Sequence, residues 1–199
     1  MQDISFTISQ GQKIGLLGKS GSGKTTLIDS IVGLHPVESG KVYLNGLDIS
    51  LNSIKNIRPV VSYIPQHVYL FSGSVAENIA MSLQFENSKV IETLKQVDLW
   101  ETFKLRDGTA TQVGESGVRL SGGQMHRIGI ARALYRNAQI IIMDEPTASL
   151  DVSTAKVILD ELVELSKGKT LIVISHQEEL LDMCDMIYKI ENHRMVLAR

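Results

Sequence analysis

The run Gly18-Lys19-Ser20-Gly21-Ser22-Gly23-Lys24-Thr25 limits what this chain can fold into more than any other feature of it. It follows the short apolar run Lys13 to Leu17 and precedes Thr26 to Val32, which has helical character and stops at Gly33. A glycine-rich loop between a strand and a helix is the context that a phosphate-binding loop needs. Glycines let the backbone wind tightly, so successive N–H groups point inward at phosphate oxygens, and the helix directs its positive end at the same charge. Lys24 is then placed to neutralise the β- and γ-phosphates of a nucleotide. Thr25 offers a hydroxyl of the kind that a hard Mg2+ ion accepts.

The rest of the chain is read around that loop. Ile4, Phe6 and Ile8 alternate with polar residues, which predicts a half-buried strand turning at Gln10-Gly11. Ser39-Gly40 and Asn45-Gly46 flank Val42-Tyr43-Leu44 and predict a small β-meander from Val37 to Ile49, followed by a strand over Val60 to Ile64. Val90, Leu94 and Val97 recur at helical spacing, which predicts a helical lobe over residues 75–136. Gln139 to Met143 and Lys169 to Ile174 are continuous apolar runs, the mark of strands covered on both faces in a parallel sheet. Between them an amphipathic helix is expected, capped by Asp151, with Ile158, Leu162 and Leu165 on one face and Gly168 closing it. Strands alternating with helices predict one α/β domain, with its core in residues 1–74 and 137–199.

Composition excludes several classes. Of 199 residues 43% are hydrophobic and 21% charged, which fits a folded globular body rather than a disordered one. A net charge of −2 gives no field to attract nucleic acid, so no nucleic-acid partner is expected and phosphate binding must be local. The apolar runs are far shorter than the ~20 residues a membrane span requires. The first residues have no basic flank or apolar stretch of the secretory kind. Cys184 is the only cysteine, which excludes an intrachain disulfide and predicts a buried thiol.

Two further patterns carry chemistry. Ile140-Ile141-Ile142-Met143 runs into Asp144-Glu145, so two carboxylates leave a buried strand at its C-terminal end, where open α/β sheets bind ligands. By itself such a pair often just ends a strand. Beside a phosphate loop it divides the work of in-line phosphoryl transfer: Asp144 for Mg2+, and Glu145 to orient and deprotonate the attacking water. His176 follows the next apolar strand and is placed at the same sheet edge, within reach of a γ-phosphate. Leu120-Ser121-Gly122-Gly123-Gln124 precedes a helical segment and forms a second anion-capable helix start, set apart in the helical lobe.

Leu120 to Gln124, in this order after the glycine loop and before Asp144-Glu145, is similar to the signature motif of ABC (ATP-binding cassette) ATPases. The resemblance spans nearly the whole chain. Gln66 in Tyr63-Ile64-Pro65-Gln66 looks like the Q-loop glutamine, Ser149-Leu150-Asp151 like the D-loop, and His176 like the switch histidine. The resemblance implies a P-loop NTPase (RecA-like) parallel-sheet core with an antiparallel β subdomain and an inserted α-helical subdomain. It implies ATP and Mg2+, with Lys24, Gln66, Glu145 and His176 in catalysis and Thr25, Gln66 and Asp144 at the metal. It implies nucleotide contacts from residues 18–26, Thr26 included, and from Ser121, Gly122, Gly123, Gln124 and Asp151 against the ATP of a second cassette.

Leu70 to Val75 with Asn78-Ile79, and Val113 to Gly117, resemble exporter cassettes, including bacterial lipid-linked oligosaccharide flippases and peptide exporters. There these segments meet the membrane domain, so Gln66 to Asn78 and Gln112 to Gly117 are the expected transmission surface, on the cytoplasmic side. Two features depart from the pattern. The aromatic residue that stacks on adenine in exporters would lie upstream of Met1, and Phe6 belongs to the later strand, so that segment and the membrane domain are expected outside this chain. Pro146 stands where exporters more often carry alanine. A non-transport ATPase of the same superfamily and a catalytically silent nucleotide-binding module are the alternatives. The first usually has coiled-coil insertions or tandem cassettes, and the second is opposed by intact Lys24, Asp144, Glu145 and His176.

Overall fold

The structure, a computed structural model, describes residues 3–50, 57–115, 117–146, 152–191 and 193–199. The apolar run ahead of the glycine loop is strand β1 (Lys13–Leu17), and helix α1 (Lys24–Ile31) starts inside the loop. Strands β2 (Tyr43–Leu44) and β3 (Leu47–Asp48) pair across Asn45-Gly46, and β4 (Val61–Ile64) follows. Strand β5 (Gly73–Ser74) leads into α2 (Val75–Ala80), α3 (Asn87–Gln96) and α4 (Trp100–Lys104) before β6 (Gln112–Val113) returns to pair with it. Then come α5 (Gly122–Tyr135), β7 (Ile140–Asp144), α6 (Val152–Leu165), β8 (Thr170–Ser175), β9 (Met186–Glu191) and β10 (Arg194–Leu197).

A six-stranded sheet runs in the order β10-β9-β1-β8-β7-β4, parallel throughout except for β10. Alternation along its strands divides the core in two. Ile141, Met143, Leu171 and Val173 face α5, α6 and the buried residues of α2 to α4. Ile142, Ile172, Ile174, Ile14 and Leu16 face the other way, onto Leu27 and Ile28 of α1. Helices cover both faces, which is why β7 and β8 read as unbroken apolar runs. Each such side chain, fully buried, contributes roughly 1.5–3 kcal/mol. This is the α/β core with a mostly parallel sheet that the sequence pattern predicts.

Some expectations are corrected. Residues 4–9 belong to no strand: Ile4, Phe6 and Ile8 are half-buried against the second core face, with Phe6 5.4 Å from the Tyr188 ring, while the residues between them are exposed. The alternation sets burial, but a ladder also needs a partner edge, and none of the described residues supplies one. The meander over Val37–Ile49 is a single two-strand hairpin, because only the Asn45-Gly46 turn folds back on a strand. Helix α1 begins at Lys24 rather than Thr26. Asp151, the expected cap of α6, lies outside the described residues. Gly168 follows α6 with φ at +78°, and Ile158 and Leu162 are buried as their spacing predicts. Among the described residues no helix is long and apolar enough to cross a membrane. Cys184 is buried.

Candidate active site

The glycine loop leaves β1 beside the end of β8, where the Gly18 amide donates to the Ser175 carbonyl at 3.3 Å. A Cβ at Gly18 would stand 2.7 Å from Ser22 Oγ and 2.9 Å from the Ile190 carbonyl, so only glycine lets the loop fold onto β9. Gly23 precedes α1 with φ at 101°, a left-handed conformation open to glycine, and no side chain caps the helix. The first amides of α1 are therefore available to an anion. Lys19, Ser20, Gly21, Thr25 and Thr26 are exposed, and Ser22 Oγ is buried without a hydrogen-bond partner among the described residues. The Lys24 side chain is buried and folds back across the loop, donating to the carbonyls of Gly18 at 2.6 Å and Lys19 at 3.0 Å.

Strand β7 brings the carboxylates to the same edge. Lys24 Nζ lies 3.4 Å from Glu145 Oε1, and His176 Nδ1 lies 2.7 Å from Glu145 Oε2. The backbone makes this possible: the Glu145 amide donates to the Ile174 carbonyl at 3.0 Å, and φ at Glu145 is +44°, a strained value for a residue with a Cβ. The carboxylate on its Nδ1 side places the imidazole proton there. Lysine, glutamate and histidine from three separate stretches of chain thus form one contiguous row.

Asp144 is buried, and its Oδ2 accepts a hydrogen bond from the Tyr63 hydroxyl at 2.6 Å. Burial raises its proton affinity above the ordinary carboxylate range, and the Tyr63 hydrogen bond acts against that shift. The Glu145 and Asp29 charges add to the rise, and Lys24 opposes it. Tyr63 is itself raised, first by burial and then by Asp144. A carboxylate with this excess of negative neighbours suits a cation. Thr25, Asp144 and Gln66 are all oxygen donors, the set that Mg2+ prefers. Gln66 is exposed beyond the end of β4.

The second turn is set apart. Ser121 caps α5: its Oγ accepts from the Gln124 amide at 3.3 Å, while Gln124 Oε1 accepts from the Ser121 amide at 2.9 Å. Ser121 is exposed and Gly122 and Gly123 are half-buried, and no hydrogen bond among the described residues joins this turn to the glycine loop. Asp151, with the rest of the expected D-loop, is outside the described residues. The segments expected to face a membrane partner lie together, because β5 pairs with β6 at Gly73↔Val113 and Ser74↔Gln112. Arg132 of α5 holds this region, donating to the carbonyls of Tyr69 at 2.9 Å and Asn78 at 2.8 Å. Tyr69 itself is 70% exposed.

Sequence reading did not single out Tyr63. It appeared there only as a neighbour of Gln66, and nothing local marks it as a partner of Asp144, which is 81 residues away. Arg132 carries no local signal either, since the carbonyls it holds are 54 and 63 residues away.

The ABC transporter family model matches residues 1–148. The chain is 37% identical over 197 residues to the ATP-dependent lipid A-core flippases of Burkholderia pseudomallei and Methylobacillus flagellatus. It is 35% identical over 199 residues to the one of Haemophilus ducreyi. These alignments take in 98% of this chain but only 33–34% of the relatives, so the chain spans about a third of their length. With three-quarters of the chain inside the family model and the glycine loop, the acidic strand end and the serine-glycine turn in its order, the chain belongs to the ABC transporter family.

Proposed function

We propose that this chain is the ATP-hydrolysing cassette of a membrane exporter. The observation that carries the reading is the row Lys24–Glu145–His176 at one sheet edge, with Asp144 beside it. The triphosphate enters the loop at residues 18–25, and Lys24 Nζ exchanges the Gly18 and Lys19 carbonyls for β- and γ-phosphate oxygens. Glu145 takes a proton from water as the water oxygen bonds to the γ-phosphorus. The bond from that phosphorus to the bridging oxygen breaks, leaving ADP and inorganic phosphate. His176, oriented by Glu145 through Nδ1, presents its Nε2 toward the departing phosphate. Thr25, Asp144 and Gln66 would hold Mg2+, which when bound would spread the phosphate charge.

The exposed Ser121, with Gly122, Gly123 and Gln124, serves the nucleotide of a second cassette, as does Asp151. The exposure of Ser121, and the lack of any hydrogen bond among the described residues from this turn to the chain's own loop, support that reading. Gln66 to Asn78 and Gln112 to Gly117, whose described residues are joined where β5 pairs with β6, we assign to a transmembrane domain at the cytoplasmic face of the membrane. The relatives' names make lipid A-core the first cargo to test.

The test is Mg2+-dependent phosphate release from ATP, with nucleotide affinity measured alongside. Lys24→Ala removes a charge-assisted donor of about 1.5–3 kcal/mol, so affinity should fall roughly 10- to 100-fold. ATP affinity unchanged in that variant would overturn the assignment of the loop.

A further inference from the structure

Tyr63 occupies β4, the edge strand, in register with Ile142 of β7. Side chains two residues apart in a strand share a face, so Tyr63, Ile142 and Asp144 rise on the side of the sheet that α1 covers. Thr25 and Asp29 belong to that helix, and the Asp29 charge acts on both Tyr63 and Asp144. The phenol meets Asp144 Oδ2 at 2.6 Å, a short, charge-assisted bond. Tyr63 is 37% exposed, so the residue is not there simply to fill the core.

Asp144 ends its strand, and only the bond from Tyr63 fixes the plane of its carboxylate among the described residues. Groups that hydrogen-bond a metal-binding carboxylate set its orientation, and losing one commonly costs about 10- to 100-fold in metal affinity. We infer that Tyr63 is a positioning residue that holds Asp144 through Oδ2 and so turns Oδ1 toward the cation accompanying the nucleotide. The inference rests on the reading of this site as an ATPase. Tyr63 also stands three residues before Gln66, so the same hydroxyl ties the start of that segment to the end of β7.

The experiment compares the wild-type chain with Tyr63→Phe, which keeps the ring and removes the donor. Mn2+ is the probe, in the presence of adenylyl imidodiphosphate, and its uptake is followed by loss of the free-ion electron paramagnetic resonance signal. Half-saturation by Mn2+ should require about tenfold more metal in the variant. Affinity for the nucleotide in EDTA should stay at the wild-type value, a split that simple loosening of the fold would not produce. An unchanged or lower Mn2+ requirement overturns the inference, as does an equal loss of affinity with and without metal. If wild-type chain takes up no Mn2+ with nucleotide, the ATPase reading falls and this inference with it. Normal wild-type uptake with an unaltered variant removes the role of Tyr63 alone.

Discussion

Replacing Glu145 by glutamine should separate binding from turnover, and the geometry says in which direction each moves. The substitution keeps the shape, the backbone bond from the Glu145 amide to Ile174 and an oxygen for His176, but removes one negative charge. Loss of a positioned base lowers turnover by about 10²–10⁴. Binding moves the other way. Glu145 Oε1 sits 3.4 Å from Lys24 Nζ, so in the native chain it both competes for the ammonium and repels an incoming phosphate. Two unit charges at ~4 Å interact by about 1 kcal/mol even at the dielectric of bulk water, which corresponds to roughly fivefold in affinity. The dielectric near a protein surface makes that repulsion larger, so fivefold is the conservative figure. Glu145→Gln should therefore bind MgATP at least about fivefold more tightly while releasing phosphate about a thousandfold more slowly. Steady-state phosphate release and equilibrium titration with a fluorescent ATP analogue read the two quantities separately. Turnover close to the wild-type rate would refute Glu145 as the base. Weaker nucleotide binding would refute the charge reasoning.

Two other perturbations probe the fold around the site. In Gly129→Ala the new Cβ would lie 2.9 Å from Ile64 Cγ2 and 3.0 Å from Val68 Cγ2, both on buried residues. Overpacking costs about 1–3 kcal/mol against a helix-propensity gain of about 1 kcal/mol, so the urea midpoint should fall, and a rise would show that α5 and β4 yield easily. Burial lifts the Cys184 thiol from its ordinary 9.0 to about 12. Native chain at pH 8 should then be alkylated by iodoacetamide roughly a thousandfold more slowly than unfolded chain. Since the unfolded thiol releases its proton first, the cysteine costs no stability below pH 9.0 and destabilises the fold progressively between there and about 12. Equal alkylation rates for native and unfolded chain would contradict the burial.

What could be read in the residues, and what could not, follows from which contacts each feature depends on. The glycine loop is legible because its phosphate-facing groups are backbone amides of consecutive residues, so spelling and geometry coincide from Gly18 to Thr25. Strands β7 and β8 are legible because burial on both faces forces every side chain in them to be apolar. Ile4, Phe6 and Ile8 predict their own burial correctly, yet a ladder is a relation between two segments, and alternation describes only one. Tyr63 and Asp144 sit at the other extreme. Their bond exists because β4 lies next to β7, and strand order is set by how β4, β7, β8 and β1 pack under the helices, not by anything within Val61–Ile64. The same order explains the active row. With β8 between β1 and β7, His176 must emerge between the loop and the carboxylates, so Glu145 reaches the histidine of one neighbour and the lysine of the next. Motif spelling can nominate each of these groups, but only the order of the strands makes Glu145 the residue on which the lysine and the histidine converge.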